Sequence, residues 1–258
     1  MHIRPTHLTV VCVAALLIPA SGQAQSEHVW ISGNVVAAIP ATDDFTQPLA
    51  FPYRSETFTG SFAYPLSSQA TFDIGAGLSV RRHFGLGLAV THLSTEHAVA
   101  VAISVPDAYR FSSYASANGV TATPLSHNET TLHVEAAYVL NKRTAMFRLF
   151  AGPSIVHTTQ DVITDVQYSE TANAPGVHSI ALTGESYGRV IDTTLGFNVG
   201  ADGGMFITRH FGVGAVLRFS YASATIKNVP QSAGQRSEVN EDVRVGGVTL
   251  GGGVRLRF

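Results

Sequence analysis

The residues best suited to chemistry lie close together in the chain, at His92, Ser94 and Glu96. A serine hydroxyl can attack an acyl ester, a histidine can take up its proton, and a carboxylate can orient the histidine. On an extended strand, side chains two positions apart project from the same face. The spacing therefore indicates a candidate hydrolytic site, and polar residues at the end of a strand are the simpler interpretation.

Other kinds of site have little support in the sequence. His127, His133, His157 and His178 lack the spacing of a His-Glu-x-x-His metal site, and no Gly-x-x-x-x-Gly-Lys phosphate loop occurs. The single cysteine, Cys12, excludes a disulfide framework. A formal net charge of −2 gives no basic surface for nucleic acid. We therefore predict no metal, no cofactor and no nucleic-acid partner.

The elements that must position these side chains are strands in which every second residue is apolar. From Phe72 to Val80 the even positions are apolar, whereas the odd positions are Asp, Gly, Gly and Ser. The same alternation covers Leu132–Leu140, Leu195–Ala201 and Phe211–Tyr221. In a soluble sheet the polar face carries Lys, Glu and Thr toward water. Here it is mostly Gly, Ser and Thr, which indicates a narrow, crowded interior.

Connections between these strands alternate between short and long. Short turns at 81–83, 141–143 and 208–210 alternate with long polar stretches, and this pattern predicts eight strands. Weaker alternation at 58–64 and 99–105 leaves two alternatives open, namely strands two and three extended above a membrane, or ten strands. The long loops are predicted at 41–68, 106–129, 160–188 and 225–241. The strands are predicted at 28–40, 70–81, 84–98, 130–140, 144–158, 189–206, 211–224 and 243–258.

The last strand is apolar at every second position and carries Val254, Leu256 and Phe258 at its end. In this it resembles the C-terminal assembly signal of bacterial outer-membrane β-barrels, and the chain as a whole is similar to the small outer-membrane barrel family that includes the membrane domain of outer membrane protein A. The resemblance implies an all-β, eight-stranded antiparallel up-and-down transmembrane barrel with short periplasmic turns and long extracellular loops. It also implies a monomer in the outer membrane of a Gram-negative-type bacterium. The implied partners are outer-membrane lipid, lipopolysaccharide and the barrel assembly machinery.

Aromatic residues at the strand ends are predicted to anchor such a barrel at the two membrane interfaces. Phe84, Phe211 and Phe258 belong to the periplasmic end in this scheme, and Tyr64 and Tyr221 to the outer end.

The N-terminal segment has the layout of a secretory signal peptide. A basic start is followed by an apolar stretch from Leu8 to Ala20 and by the small-residue exit Gly22-Gln23-Ala24. The apolar stretch is shorter than the roughly 20 residues of a spanning helix. We predict a signal peptide at 1–24, cleaved after Ala24, and a barrel domain at 25–258.

The polar face of the strands brings charges of both signs into a lumen that eight strands make only wide enough for side chains. Because unpaired buried charges are costly, we predict a closed, salt-bridged lumen and a structural or surface-interaction role for the extracellular loops. Two alternatives stay open. One is a small ion-conducting channel, and the other is a lipid A-modifying esterase, since the His92 and Ser94 pair is similar to the site of outer-membrane lipid A deacylases. The residues predicted to face the lumen are Asp73, Arg81, Glu135, Arg148, Asp192, Asp202, Arg218, Arg255 and Arg257.

Overall fold

The computed structural model describes residues 29–42, 44–53, 55–107, 110–174, 177–226 and 241–258. The predicted signal peptide at 1–24 lies outside these ranges. Within them the chain forms strands, and no helix there is long and apolar enough to cross a membrane. The strands are β1 (Val29–Pro40), β2 (Asp44–Tyr53), β3 (Glu56–Pro65), β4 (Gln69–Arg81), β5 (Phe84–His97), β6 (Ala100–Pro106), β7 (Tyr114–Val120), β8 (Leu125–Asn141), β9 (Ala145–Ala174), β10 (Val177–Phe206), β11 (Phe211–Ile226) and β12 (Glu241–Arg257).

Eight of these strands close into an antiparallel ring in the order β1-β12-β11-β10-β9-β8-β5-β4. The ring is complete because β1 pairs with β12 on one side and with β4 on the other. At the seam, the backbone of Phe258 exchanges two hydrogen bonds with that of Val29. The predicted fold class is confirmed, and the described strands form an eight-stranded ring rather than the ten-stranded alternative.

The outer face of the ring is apolar and exposed, whereas much of its inner face is polar and buried. Large side chains such as Phe72, Leu88 and Leu195 are 55–76% exposed, and Asp73 and Glu135 on the inner face are each 1% exposed. An apolar belt around a closed ring suits hydrocarbon rather than water, and the closed ring leaves no unpaired edge in it. The ring is therefore a transmembrane β-barrel.

Aromatic side chains lie at the end of the barrel that carries the short turns. Phe84, Phe211 and Phe258 are exposed there, where rings of this kind anchor a barrel at the membrane interface. Phe84 packs edge-on against Tyr138, and Phe258 stacks on His210, with centroids 5.7 Å apart in both pairs.

A second sheet, in the order β2-β3-β6-β7, takes up most of the stretch predicted as a loop at 41–68, and its strand β7 lies within the stretch predicted as a loop at 106–129. Phe58, Phe62, Val101 and Ile103 are almost fully buried and form its core with Ile163 of β9. The weak alternation at 58–64 and 99–105 thus belongs to separate strands that bury one face against each other and against β9. Both loop predictions and the extended-strand alternative are wrong there, because short strands without a membrane give only a weak periodic signal.

Tyr64 joins this second sheet to the barrel wall instead of anchoring the barrel in the interface. Its side chain is buried, and its hydroxyl donates to Gln47 Oε1 at 2.8 Å. The Tyr64 hydroxyl oxygen in turn accepts a hydrogen bond from the backbone N–H of Ile163 at 2.8 Å. Burial raises the pKa of the Tyr64 hydroxyl. The prediction of an interfacial role for Tyr64 is therefore wrong.

The stretch at 160–188 is likewise a continuation of β9 and β10 rather than the predicted loop. Asp161, Val162 and Ile163 are consecutive and all buried. The alternation of apolar and polar residues is therefore lost where the second sheet begins to cover β9. Register shifts near Leu182 and Ser186 disturb the pattern further. The two strands form a hairpin that extends well beyond the apolar belt.

Trp30 fills the barrel near its turn end by lying across two glycines. An added Cβ at Gly77 would come within 2.2 Å of Trp30 Cζ2, and one at Gly85 within 2.6 Å of Trp30 Cη2. Glycine is therefore required at both positions by the close approach of the indole.

We expect Gly77→Ala to lower the stability of the barrel by about 1–3 kcal/mol, because the new methyl group overpacks the wall against Trp30 and the Leu86 carbonyl. Urea unfolding of the protein in lipid vesicles measures the change. Gly203→Ala is the matched control, since its Cβ would meet only Phe147 Cδ2, at 3.8 Å. Equal midpoints for the two variants would contradict the packing argument.

Candidate functional site

The centre of the lumen is crossed by Arg218 of β11, which is 2% exposed. Its guanidinium forms ion pairs with Asp73 of β4 and with Glu135 of β8, the second at 2.7 Å. In the ring order, β4 and β8 flank β5, the strand directly opposite β11. One side chain therefore bridges the full width of the barrel.

A second group of ion pairs forms around Asp202 of β10. Its two carboxylate oxygens accept from different arginines, Arg148 of β9 and Arg255 of β12, the latter at 2.8 Å. Arg255 also donates to Asn34 Oδ1 at 2.6 Å, and Asn34 Nδ2 donates to Asp73 at 2.8 Å. Asn34 therefore connects the two groups.

The result is one continuous network of buried side chains with three arginines and three carboxylates, so its formal charges cancel. Aromatic rings provide further contacts for two of the guanidinium groups. Arg148 lies 4.9 Å from the Trp30 ring centroid, and Arg218 lies 5.2 Å from that of Phe150. Pairing of this kind offsets the cost of removing charges from water. In order along its contacts the network runs Glu135, Arg218, Asp73, Asn34, Arg255, Asp202, Arg148.

Three other residues predicted to face the lumen lie outside these contacts. Arg257 is buried at the turn end, where it donates to the carbonyls of Lys142 and Arg143 and lies over the Phe206 ring. Asp192 is half-buried, farther toward the outer end of β10.

Arg81 is exposed at the turn, and the prediction that it faces the lumen is wrong. The pairing of β4 with β5 shifts register between Ser79 and Arg81. This irregularity breaks the alternation from which the inward orientation of Arg81 was inferred.

Asn34 is the member of the network that the charge pattern missed, because it is neutral. Its position in the strand could have identified it, because every second residue of β1 points inward. Trp30, Ser32, Asn34 and Val36 are the buried positions of this alternation. Asn34 is directly opposite Asp73 in the β1–β4 register.

His92, Ser94 and Glu96 are exposed on the outer wall of β5, at the outer side of the apolar belt. His92 Nδ1 lies 2.9 Å from Thr130 Oγ1, and Ser94 Oγ donates to Asn128 Oδ1 at 2.6 Å. In the described part of the chain, each of these two side chains hydrogen-bonds a residue of β8 rather than the other. Among the described contacts, the His92 imidazole has a hydroxyl partner and no carboxylate, and both side chains lie at the outer edge of the apolar belt.

Beyond the belt, Asp161 of β9 and Arg189 of β10 form an ion pair at 2.9 Å across the hairpin. Burial acts to raise the pKa of Asp161, but hydrogen bonds from Arg189 and Ser126 outweigh it and hold that pKa below its ordinary value. Because the Arg189 side chain is 61% exposed, the pair is screened and contributes little to stability.

No protein-family model matches the chain, and no curated protein matches it. Among solved structures, the chain is similar to the outer membrane protein OprG from Pseudomonas aeruginosa, at 11% identity over 91% of this chain and 97% of that chain, with a TM-score of 0.48. It is also similar to Ail, the attachment invasion locus protein of Yersinia pestis, in complex with the heparin analogue sucrose octasulfate, at 11% identity over 90% and 100%, with a TM-score of 0.39. Neisserial surface protein A is similar at 13% identity over 89% and 97%, with a TM-score of 0.38.

At these identities and TM-scores the likenesses carry no argument about activity or ligand. The fold stands on the ring itself, on its exposed apolar belt and on its polar interior. By that architecture the chain is a small eight-stranded transmembrane β-barrel.

Proposed function

We propose that the protein is a non-conducting outer-membrane barrel that displays a folded β-module at the cell surface. In this proposal the lumen is sealed, and the second sheet together with the outer part of the β9–β10 hairpin makes the contacts that matter to the cell. We further propose that residues 1–24 are removed as a signal peptide on export. The segment with Val254 and Leu256 in β12 and Phe258 directly after that strand would be recognised by the assembly machinery.

The single observation that carries the closed lumen is the span of Arg218 from β11 to Asp73 and Glu135. An ion that passed this point would have to displace an almost fully buried guanidinium that is held by two buried carboxylates. Separating a buried ion pair costs several kcal/mol, and this cost opposes the movement of Arg218 that would open the lumen.

The surface role is supported by the second sheet, which has a core of its own. Phe58 and Phe62 are at most 1% exposed in that core, and Ile163 of β9 joins it from the hairpin. Packing of this kind gives the extracellular part a fixed shape, which a binding surface needs. In the same module Phe111, in the turn between β6 and β7, is 80% exposed and available to a partner. Lipopolysaccharide is the neighbour we expect around the outer half of the belt.

The closed lumen predicts no unitary conductance when mature protein is refolded into a planar bilayer at neutral pH. Folding is verified beforehand by the shift in electrophoretic mobility between heated and unheated samples. Arg148→Ala and Glu135→Ala are measured in the same setup, because each shortens a side chain of the network. Stable current steps from the unaltered protein, changed in size by either substitution, would mean that the lumen conducts and that the channel alternative is correct.

The esterase alternative has its own test, because His92 and Ser94 are exposed at the height of the outer leaflet. Among the described contacts His92 is oriented by a hydroxyl, and a neutral partner stabilises an imidazolium less than a carboxylate does. We therefore expect no difference in lipid A mass between cells producing the protein and cells producing Ser94→Ala. Loss of an acyl chain that depends on Ser94 would establish the enzyme and displace the structural proposal.

A further inference from the structure

An open groove lies on the outer wall of the barrel, toward the turn end. It contains Ala136 of β8 and Ala151 of β9, which are direct partners in the β8–β9 register. On one side the partner of Ala136 is Leu86 of β5, and on the other the partner of Ala151 is Val199 of β10. Two methyl groups therefore lie between two larger side chains on the exposed face of the wall. We call this depression the turn-end groove.

The side of the turn-end groove that faces the turns is aromatic. Tyr138 of β8 and Phe84 of β5 line it there, and their rings pack edge-on. The Tyr138 ring also lies beside the His83 ring, with centroids 5.6 Å apart. His83 belongs to the turn between β4 and β5, so the lining of the groove continues directly into that turn.

Two short turns lie side by side at this end of the groove. One joins β4 to β5 and the other joins β8 to β9, and they are neighbours because β5 pairs with β8. The backbone N–H of Val139 donates to the His83 carbonyl at 2.8 Å, which fixes the first turn against β8. Arg257 donates to the carbonyls of Lys142 and Arg143 at 2.9 and 2.6 Å, which fixes the second turn from inside the barrel.

The exposed charges at these two turns are all positive. Arg81, Arg82, Lys142 and Arg143 are exposed, and neither turn contains Asp or Glu. Among the ion pairs of the described residues, none involves these four side chains. Four positive charges next to an apolar groove are complementary to an amphiphile with a negatively charged head group.

We propose that this face of the barrel binds an anionic phospholipid from the leaflet at the turn end. Its phosphate group accepts hydrogen bonds from basic side chains of the two turns, and one acyl chain fills the turn-end groove. The groove belongs to the apolar belt, so hydrocarbon is what covers it in the membrane. The inference is independent of the sealed lumen and of the surface role, because it concerns the outer wall at the opposite end of the molecule.

The test compares two lipids with the same acyl chains, dioleoylphosphatidylglycerol and dioleoylphosphatidylcholine. Mature protein is refolded in a neutral detergent and titrated with each lipid, and native mass spectrometry gives the Kd of the first lipid bound. A basic side chain near an anionic head group is worth about fivefold in affinity. We therefore expect the phosphatidylglycerol to bind about fivefold or more tightly than the phosphatidylcholine.

The charge part of the proposal is tested by Arg82→Gln combined with Lys142→Gln. This pair should reduce the preference for phosphatidylglycerol to about twofold or less, because one positive charge is lost from each turn. The matched control is Arg110→Gln combined with Arg189→Gln, which removes two exposed positive charges at the other end of the molecule. It should leave the preference unchanged.

The groove part of the proposal is tested by Ala136→Leu, which fills the depression from the exposed face of the wall. It should weaken the binding of both lipids to a similar extent, because the acyl chain loses its place while the charges stay. Ala215→Leu is the matched control, since Ala215 is exposed on β11, away from the groove. Unheated electrophoresis verifies that each variant is folded. Equal affinity for the two lipids, a preference that survives Arg82→Gln with Lys142→Gln, or equal Kd values for Ala136→Leu and Ala215→Leu would overturn the proposal.

Discussion

Replacing Arg218 with methionine should destabilise the barrel by about 3–5 kcal/mol, because Asp73 and Glu135 would then remain buried without a counter-ion. Methionine has a similar length and no charge, so the loss is electrostatic rather than one of volume. Urea unfolding of the protein in lipid vesicles measures it, and the shift of the midpoint should be among the largest that any single substitution gives in this chain.

Two comparison variants make the interpretation specific. Arg189→Met removes an arginine whose side chain is 61% exposed, and we expect it to cost about 0–1 kcal/mol. The triple variant Arg218→Met, Asp73→Asn, Glu135→Gln removes the stranded charges together with their partner and should recover most of the lost stability. If Arg218→Met unfolds at the same urea concentration as Arg189→Met, the network does not have the buried, paired character described above.

Replacing Phe62 with alanine should loosen the second sheet by about 3–5 kcal/mol while the barrel stays folded, because Phe62 is fully buried in the core outside the membrane belt. The expected result is faster cleavage between residues 44 and 120 by a protease added outside intact cells. The barrel itself should keep its resistance to unfolding in unheated electrophoresis.

Phe111→Ala is the matched control for Phe62→Ala, since it removes the same group from a side chain that is 80% exposed. It should leave the cleavage rate within error of the unaltered protein. If Phe62→Ala unfolds the barrel and the second sheet together, the two form one cooperative unit, and the second sheet does not unfold independently of the barrel.

Much of the barrel was predictable because lipid imposes a simple rule on every spanning strand. Each must present apolar residues to hydrocarbon at alternate positions over its whole width, so the pattern from Phe72 to Val80 and from Phe211 to Tyr221 repeats with little interruption. The predicted strand at 70–81 and the observed Gln69–Arg81 differ by one residue. Parity along the same strands also identified Arg148, Asp202, Arg218 and Arg255 as inward-facing.

The second sheet was not predictable in the same way, because no membrane enforces its alternation. Its strands bury one face on each other and on β9, where Asp161, Val162 and Ile163 are buried in succession and period two is lost. Tyr64 illustrates this limit, because an aromatic residue near a strand end is compatible both with a membrane-interface anchor and with a buried contact between the two sheets. Its hydrogen bonds with Gln47 of β2 and Ile163 of β9 show that it is a buried contact between the second sheet and the barrel.

The sequence by itself indicated which face of the regular spanning strands meets lipid, because the alternation of apolar and polar residues is a local property of the chain, and it failed at Arg81, where the register shifts. Tertiary structure alone decided which of the inward-facing charges meet. Arg218 reaches Asp73 and Glu135 at separations of 145 and 83 residues, and Arg255 reaches Asn34 at a separation of 221. The physical reason is closure of the ring, which pairs β1 with β12 and places β11 across from β4 and β8 in a lumen only wide enough for side chains.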